Sequence, residues 1–166
     1  MKKIIRFVKH LAAARWQVIR RFPKHSMNAI EAAIRSSETK HMGELRFVVE
    51  AGLDWPQLFG GINSRERALD LFSSLRVWDT EHNSGVLIYL LLAEHKVEIV
   101  ADRGINASVD QSEWGKICHD MEGKFRMGDF ENGVLVGISA ISALLQQHYP
   151  AQAHNPNDLP DRPAIL

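Results

Sequence analysis

Only one cysteine, Cys118, occurs among 166 residues, so the chain cannot close an intramolecular disulfide. It also lacks the thiol cluster that zinc or an iron–sulfur centre requires. A reducing compartment fits that usage. Long apolar runs are missing as well: the longest, Val86 to Ala93, falls far short of the roughly 20 residues a membrane-spanning helix needs. The sequence therefore predicts a soluble chain. No GxxxxGK, GxGxxG, HExxH or GxSxG is present, which removes the common nucleotide-binding, metalloprotease and serine-hydrolase readings. Internal repeats and low-complexity segments are absent. Acidic residues are missing from the start of the chain: Lys2, Lys3, Arg6, Lys9, Arg15, Arg20, Arg21 and Lys24 all precede the first acid, Glu31.

What remains is ordinary globular composition, 45% hydrophobic and 24% charged with no net charge, and enough length for one domain with a sizeable core. In residues 1–25, Ile4, Phe7, Val8, Leu11, Val18 and Ile19 recur at near-helical spacing and predict a basic amphipathic helix. Arg6, Lys9 and His10 interrupt it too often for a signal peptide's apolar segment. The plain reading is that this helix packs on the chain's own acidic body. An anionic membrane surface is the alternative, and nucleic acid is not expected because no recognised motif supports it.

Between 26 and 148 helices and strands alternate. Ser26 is a candidate N-cap for a helix carrying Ile30, Ala33 and Ile34 on one face and ending at Met42-Gly43. A strand with Leu45, Phe47 and Val49 follows, then a loop with Gly52, Pro56, Gly60 and Gly61, and a helix from Ser64 with Ala68, Leu69, Phe72 and Leu75 inward. Two strands, around Val86 to Leu92 and Val97 to Ala101, are so close in sequence that a hairpin is expected. Asp110-Gln111-Ser112-Glu113 has the form of a capping box opening a helix whose Trp114, Ile117, Cys118 and Met121 face the core. Gly128 closes it, Asp129 caps the last helix, and Gly133 and Gly137 would let that helix approach a sheet closely. The expected fold is α/β, a three-layer α/β/α sandwich around a mixed sheet. Residues 149–166, with Pro150, Pro156, Pro160 and Pro163 among polar neighbours, are expected to form a loose tail.

Asp79-Thr80-Glu81-His82-Asn83-Ser84-Gly85 enters the first hairpin strand, and Asp102-Arg103-Gly104-Ile105-Asn106 leaves the second. The hairpin brings both polar loops to one end of the sheet. Asp79, Asn83 and Asp102 are the candidate ligands for calcium or another divalent cation, because a hard ion takes oxygen donors. Glu81, His82, Arg103 and Asn106 are candidate binding residues beside them. An EF-hand loop is excluded, since its glycine position holds Ser84 and its twelfth position Leu90. Asp79 and Asn83 also have a plain role as turn and cap residues. For phosphate chemistry, His82, Asp102 and Arg103 supply an acid–base group, a carboxylate and a cation.

Asn83-Ser84-Gly85-Val86-Leu87, then Val97 to Ile105, then Phe125-Arg126-Met127-Gly128-Asp129-Phe130 leading into Gly133-Val134-Leu135, resemble the TPM domain family over roughly Ala29 to Leu145. The resemblance implies an α/β/α sandwich in a family associated with divalent-cation binding and, for some members, acid phosphatase activity. Where the family carries Asp-Asn-Gly this chain has Asn83-Ser84-Gly85. Where the family carries Gly-Tyr-Gly-Leu-Glu it has Asp102-Arg103-Gly104-Ile105-Asn106. Two carboxylates have become amides, which keeps oxygen donors but removes charge and weakens cation affinity. The expectation is a cytoplasmic or membrane-peripheral accessory or interaction module with a protein partner, lacking the export signal and C-terminal span of many members. The alternative is a metal-dependent phosphomonoester hydrolase.

Overall fold

The computed structural model describes residues 2–13, 15–152 and 156–166. Its centre is a four-stranded mixed sheet in the order β3-β2-β1-β4, with β1 at Glu44–Glu50, β2 at Gly85–Leu91, β3 at Lys96–Ala101 and β4 at Ala164–Ile165. Strands β1 and β2 run parallel, Glu44 opposite Gly85, while β2 and β3 form the expected hairpin, Val86 opposite Ala101. A single 3₁₀ turn at Leu92–Glu94 and a left-handed His95 close that hairpin.

Every residue of β2 is buried, because helices cover both faces of the sheet. On one face Leu45, Phe47, Val49, Val86, Ile88 and Leu90 join Ile30 and Ile34 of α3 (Lys24–Glu38), Met121 of α7 (Gln111–Arg126) and Val134 of α8 (Phe130–His148). On the other, Val48, Leu87, Tyr89 and Leu91 meet Leu58 of α4 (Trp55–Phe59) and Ala68 of α5 (Ser64–Ser74). This is the expected three-layer sandwich. Polar residues on the second face of β1 are absorbed by partners: Arg67 grips Glu50 through two bonds of 2.8 and 3.0 Å, and the buried Tyr89 hydroxyl donates to the same carboxylate at 2.6 Å. At the β3 edge, Glu122 accepts the Val97 N–H at 3.2 Å and Arg65 donates to the Ile99 carbonyl at 2.6 Å, which blunts an edge that would otherwise template another strand.

Local signals were in part displaced by neighbouring residues. Helix α3 begins after Pro23 and not at Ser26, whose hydroxyl instead donates to Glu131, and it ends at Glu38, before Met42-Gly43. The loop after β1 contains α4, held by an Asp54–Gln57 capping box, and α5 is capped by Asn63 with Glu66. Asp110 does cap α7, accepting from the Ser112 N–H at 2.7 Å, whereas Glu113 pairs with Lys116 at 2.6 Å. Gly133 and Gly137 pack against Phe125 and Met121 of α7 and not against the sheet. A methyl at either position would collide with those side chains.

The basic N-terminal segment is two helices, α1 (Lys2–Ala12) and α2 (Arg15–Arg21). The expected apolar face includes Ile4 and Leu11, whose side chains lie outside the described residues. Arg6 donates to Glu94 at 2.6 Å and to the Ile62 carbonyl at 2.6 Å. His10, 4% exposed, accepts the Leu53 N–H on Nδ1 at 2.9 Å, so its Nε2 donates to Glu94 at 2.8 Å. Burial raises the Glu94 pKa, but the bonds from Arg6 and His10 outweigh it and leave the carboxyl below its ordinary value. Val18 and Phe22 complete the main core.

The loose tail is corrected for residues 156–166; residues 153–155 lie outside the described residues. Ala164 and Ile165 pair in parallel with Val48 and Val49. Leu159 is buried, and Arg46 donates to the carbonyls of Pro160 and Arg162 at 2.6 and 2.7 Å. A proline-rich segment needs no core of its own when an open strand edge supplies backbone partners, and proline is tolerated at such an edge.

Candidate functional site

The antiparallel hairpin sets the start of β2 beside the end of β3. Ahead of β2, the Ser84 N–H donates to Thr80 Oγ1 at 2.9 Å and the Asn83 N–H to the Thr80 carbonyl at 3.2 Å. Asn83 itself is left-handed, φ +52°, a conformation asparagine tolerates better than most residues. After β3, Asp102 caps the short helix α6 (Arg103–Asn106), one carboxylate oxygen accepting the Arg103 N–H at 2.6 Å.

The two loops touch. A methyl added to Gly104 would lie 2.6 Å from the Asn83 carbonyl oxygen and 3.3 Å from that of His82, so glycine permits the approach. The Arg103 guanidinium bridges the gap, donating from Nη2 and Nε to Asn83 Oδ1 at 3.2 and 3.3 Å. Tyr149, just after α8, donates its hydroxyl to the Gly104 carbonyl and ties α6 to the end of α8. His82 is half-buried, and its Nε2 has no partner. Asp102 is 8% exposed, and its second oxygen, Oδ2, is buried without a partner.

Thus the side chains of Asn83 and Arg103 meet, Asp102 caps the turn that carries Arg103, and His82 reaches the other loop through its backbone carbonyl. Asp79 is exposed, with Arg76 3.9 Å away, and serves its turn more than the cluster. Glu81 is exposed and gives its backbone N–H to Asp158 at 2.9 Å. Asn106 donates its amide to the Ala101 carbonyl at 2.6 Å, finishing the strand end. Among the described residues no three His, Cys, Asp or Glu side chains converge as a metal cage. Calcium takes six to eight oxygens, several of them anionic. The donor set here offers one orphaned carboxylate oxygen at Asp102, while Asn83 already carries an arginine. It does not make an enclosed cation cage.

A second polar group at the same end of the sheet escaped the sequence reading. Glu38 accepts the Leu45 N–H at 2.7 Å, and Glu44 Oε2 accepts the N–H groups of Asp158 and Leu159 at 3.2 and 3.1 Å. Asp161 holds Arg35 at 2.9 Å and Asn157 at 2.8 Å. Glu38 and Glu44 line a recess of about 260 Å³ with Arg35, Thr39 and Asn157. Burial first, then neighbouring carboxylates, pushes Glu38 up to about 8 and Glu44 up to about 7, against the hydrogen bonds that favour their charged forms. Nearby His41 is fully buried, and burial lowers it to about 4. These acids clamp the C-terminal segment; the only sequence signal was Glu44 at the mouth of an apolar strand.

A family model of the TPM domain, under the name TPM_phosphatase, matches residues 22–144. The chain is similar to the solved structure of the BA42 protein from the psychrophilic bacterium Bizionia argentinensis. Identity is 27% and the TM-score 0.76, over 86% of this chain and 93% of that one. It also shares the fold of the N-terminal domain of a protein from P. gingivalis, with 20% identity and a TM-score of 0.61 over 79% of this chain and 82% of that one. No curated protein matches. No helix of the described residues is long and apolar enough to cross a membrane. With the motifs, the three-layer sandwich and a family match spanning most of the core in agreement, the chain belongs to the TPM domain family.

Proposed function

We propose that this chain is an accessory or interaction module whose polar loop end engages a protein partner and holds a divalent cation such as calcium weakly. The observation that supports the reading is Asp102: a buried carboxylate with one oxygen unpartnered, beside a loop that Arg103 holds through Asn83. An arriving cation gains that oxygen but meets the charge of Arg103 at the neighbouring amide. Affinity in the millimolar range follows from one anionic ligand without a cage. The lone cysteine suits a cytoplasmic setting, which forms part of the same proposal.

Backbone amide shifts on titration with calcium and magnesium test the reading. Saturable shifts confined to 79–84 and 102–106 are expected, lost in Asp102→Asn and moved to lower metal concentration in Arg103→Ala. No localised shift at about 10 mM metal, far above the range expected for a weak site, retires the cation.

The model name keeps a second reading, a metal-dependent phosphomonoester hydrolase, in view. His82, Asp102 and Arg103 lie on touching loops, and Arg103 is exposed to meet a phosphate. Turnover of an aryl phosphate with calcium, magnesium or manganese, abolished in His82→Ala and Arg103→Ala, supports hydrolysis. No turnover between about pH 5 and 8 under those metals, the range in which histidine changes charge, leaves the interaction module.

A further inference from the structure

Of the apolar side chains described on α1, only Phe7 packs inward, against Trp55, Phe59 and the second face of the core. Two of its polar residues also point inward: Arg6 and His10 are spent on Glu94, the Ile62 carbonyl and the Leu53 N–H. Its apolar Ile5 and Val8 point outward, 52% and 58% exposed. The next helix repeats the outward arrangement: α2 buries Val18 but leaves Trp16 and Ile19 more than half exposed. Four large apolar side chains on two consecutive helices are unusual surplus for a surface, and the burial of Val18 shows that α2 docks without them.

The cations around these side chains identify the occupant. Lys9, Arg15 and Arg20 are exposed, and none forms a salt bridge among the described residues. Before residue 31 the sequence has no acid to neutralise them. Arg20 and Arg21 further line an open recess of about 510 Å³ beside Trp16, and the Arg21 guanidinium lies 5.3 Å over the Phe130 ring. That pairing holds Arg21 in place where a phosphate-sized anion can enter. Apolar side chains flanked by lysine and arginine match the boundary between lipid headgroups and acyl chains, where the apolar residues insert and the cations meet anionic headgroups. A nucleic acid satisfies the cations but not Ile5 and Val8.

We propose that the outward face of α1 and α2 docks this protein on an anionic lipid surface, Ile5, Val8, Trp16 and Ile19 entering the interface and Arg15, Arg20 and Arg21 taking headgroup phosphates. The surface is distinct from the polar loops, so the two readings stand or fall separately.

Sedimentation of the full chain with vesicles of phosphatidylcholine alone, or with about a third phosphatidylglycerol, tests this. Binding to the anionic vesicles alone is expected, weakening with salt as charge is screened. Ile5→Asn with Val8→Asn lowers the partition coefficient by about tenfold or more, and Arg15→Gln with Arg20→Gln by roughly fivefold per residue. Leu69→Asn with Val136→Asn, which alters exposed apolar residues on α5 and α8, leaves it unchanged. Circular dichroism confirms that each variant is folded. Equal pelleting with neutral vesicles, pelleting of the Ile5/Val8 or the arginine variant at the wild-type level, or no pelleting overturns the proposal. So does a dimer in sizing experiments that Ile5→Asn with Val8→Asn dissolves, which would assign the face to a second copy of the chain.

Discussion

Raising the pH from 6.5 to 8.5 should destabilise this protein, and the reason lies in two buried glutamates. A carboxyl whose folded pKa exceeds its unfolded value binds more protons in the native state, so stability falls as pH rises up to the folded pKa. Glu38, moved from 4.5 to about 8, and Glu44, moved to about 7, are both held protonated first by burial. Below pH 6.5 the lowered pKa values of His41 and His95 act with the opposite sign, since there the unfolded chain binds the extra proton. Above it, their effect fades and the glutamates remain. Each pH unit over which a native carboxyl keeps a proton the unfolded chain has lost is worth about 1.4 kcal/mol. Glu38 between 6.5 and 8 therefore contributes roughly 2 kcal/mol, and Glu44 several tenths more on the same scale. Urea unfolding at pH 6.5, 7.5 and 8.5 reads this directly. Glu38→Gln keeps a side-chain oxygen for the Leu45 N–H but cannot ionise, so its stability should fall by less than about 1 kcal/mol over the same span. A wild type whose stability is flat or rising across this window, or a Glu38→Gln slope equal to wild type, would refute the assignment of buried, protonated carboxyls.

Tyr89→Phe removes the hydrogen bond to Glu50 without emptying the core; a loss of about 1.5–3 kcal/mol in urea unfolding is expected for a bond to a charged acceptor, and a loss under about 0.5 kcal/mol would mean that Arg67 alone satisfies Glu50. Gly85→Ala and Gly128→Ala separate contact from backbone strain. The first drives a methyl into the Val77 carbonyl and should cost at least about 2 kcal/mol. The second meets open space at φ +82° and should cost about 1 kcal/mol; equal melting temperatures for the two would contradict the packing at the hairpin mouth. Burial pushes the Cys118 thiol up to about 12, so at pH 8 a disulfide reagent should modify the native protein at least about a hundredfold more slowly than the urea-unfolded chain, because the thiolate is the reacting form. Cys118 is only half-buried and lines a recess, so native labelling as fast as that of the unfolded chain would refute the raised pKa.

The polar loops were legible because hairpin geometry is local. Few residues separate Leu92 from Val97, so antiparallel pairing follows, and Asn83 and Asp102 must then arrive at the same end of the sheet. What the sequence could not show was how the polar side chains divide their bonds. Asn83 meets Arg103 only because Gly104 lets the backbones close, and Asp79 turns toward Arg76 although it stands only four positions from Asn83. Buried acids were equally hidden, since no local pattern marks Glu38 or Glu44, and their surroundings include Asp158, Leu159 and Asp161 from the far end of the chain.

Helix and strand placement was thus written largely into periodicity, turn residues and motifs, all of which act over a few neighbouring positions. Folding decided the rest through contacts between residues far apart in sequence. The proline-rich segment gained an ordered strand because β1 had an unfilled edge. Likewise, Arg6 and His10 of α1 turn inward because Glu94, 88 residues from Arg6, accepts from both, while Ile5 and Val8 stay exposed.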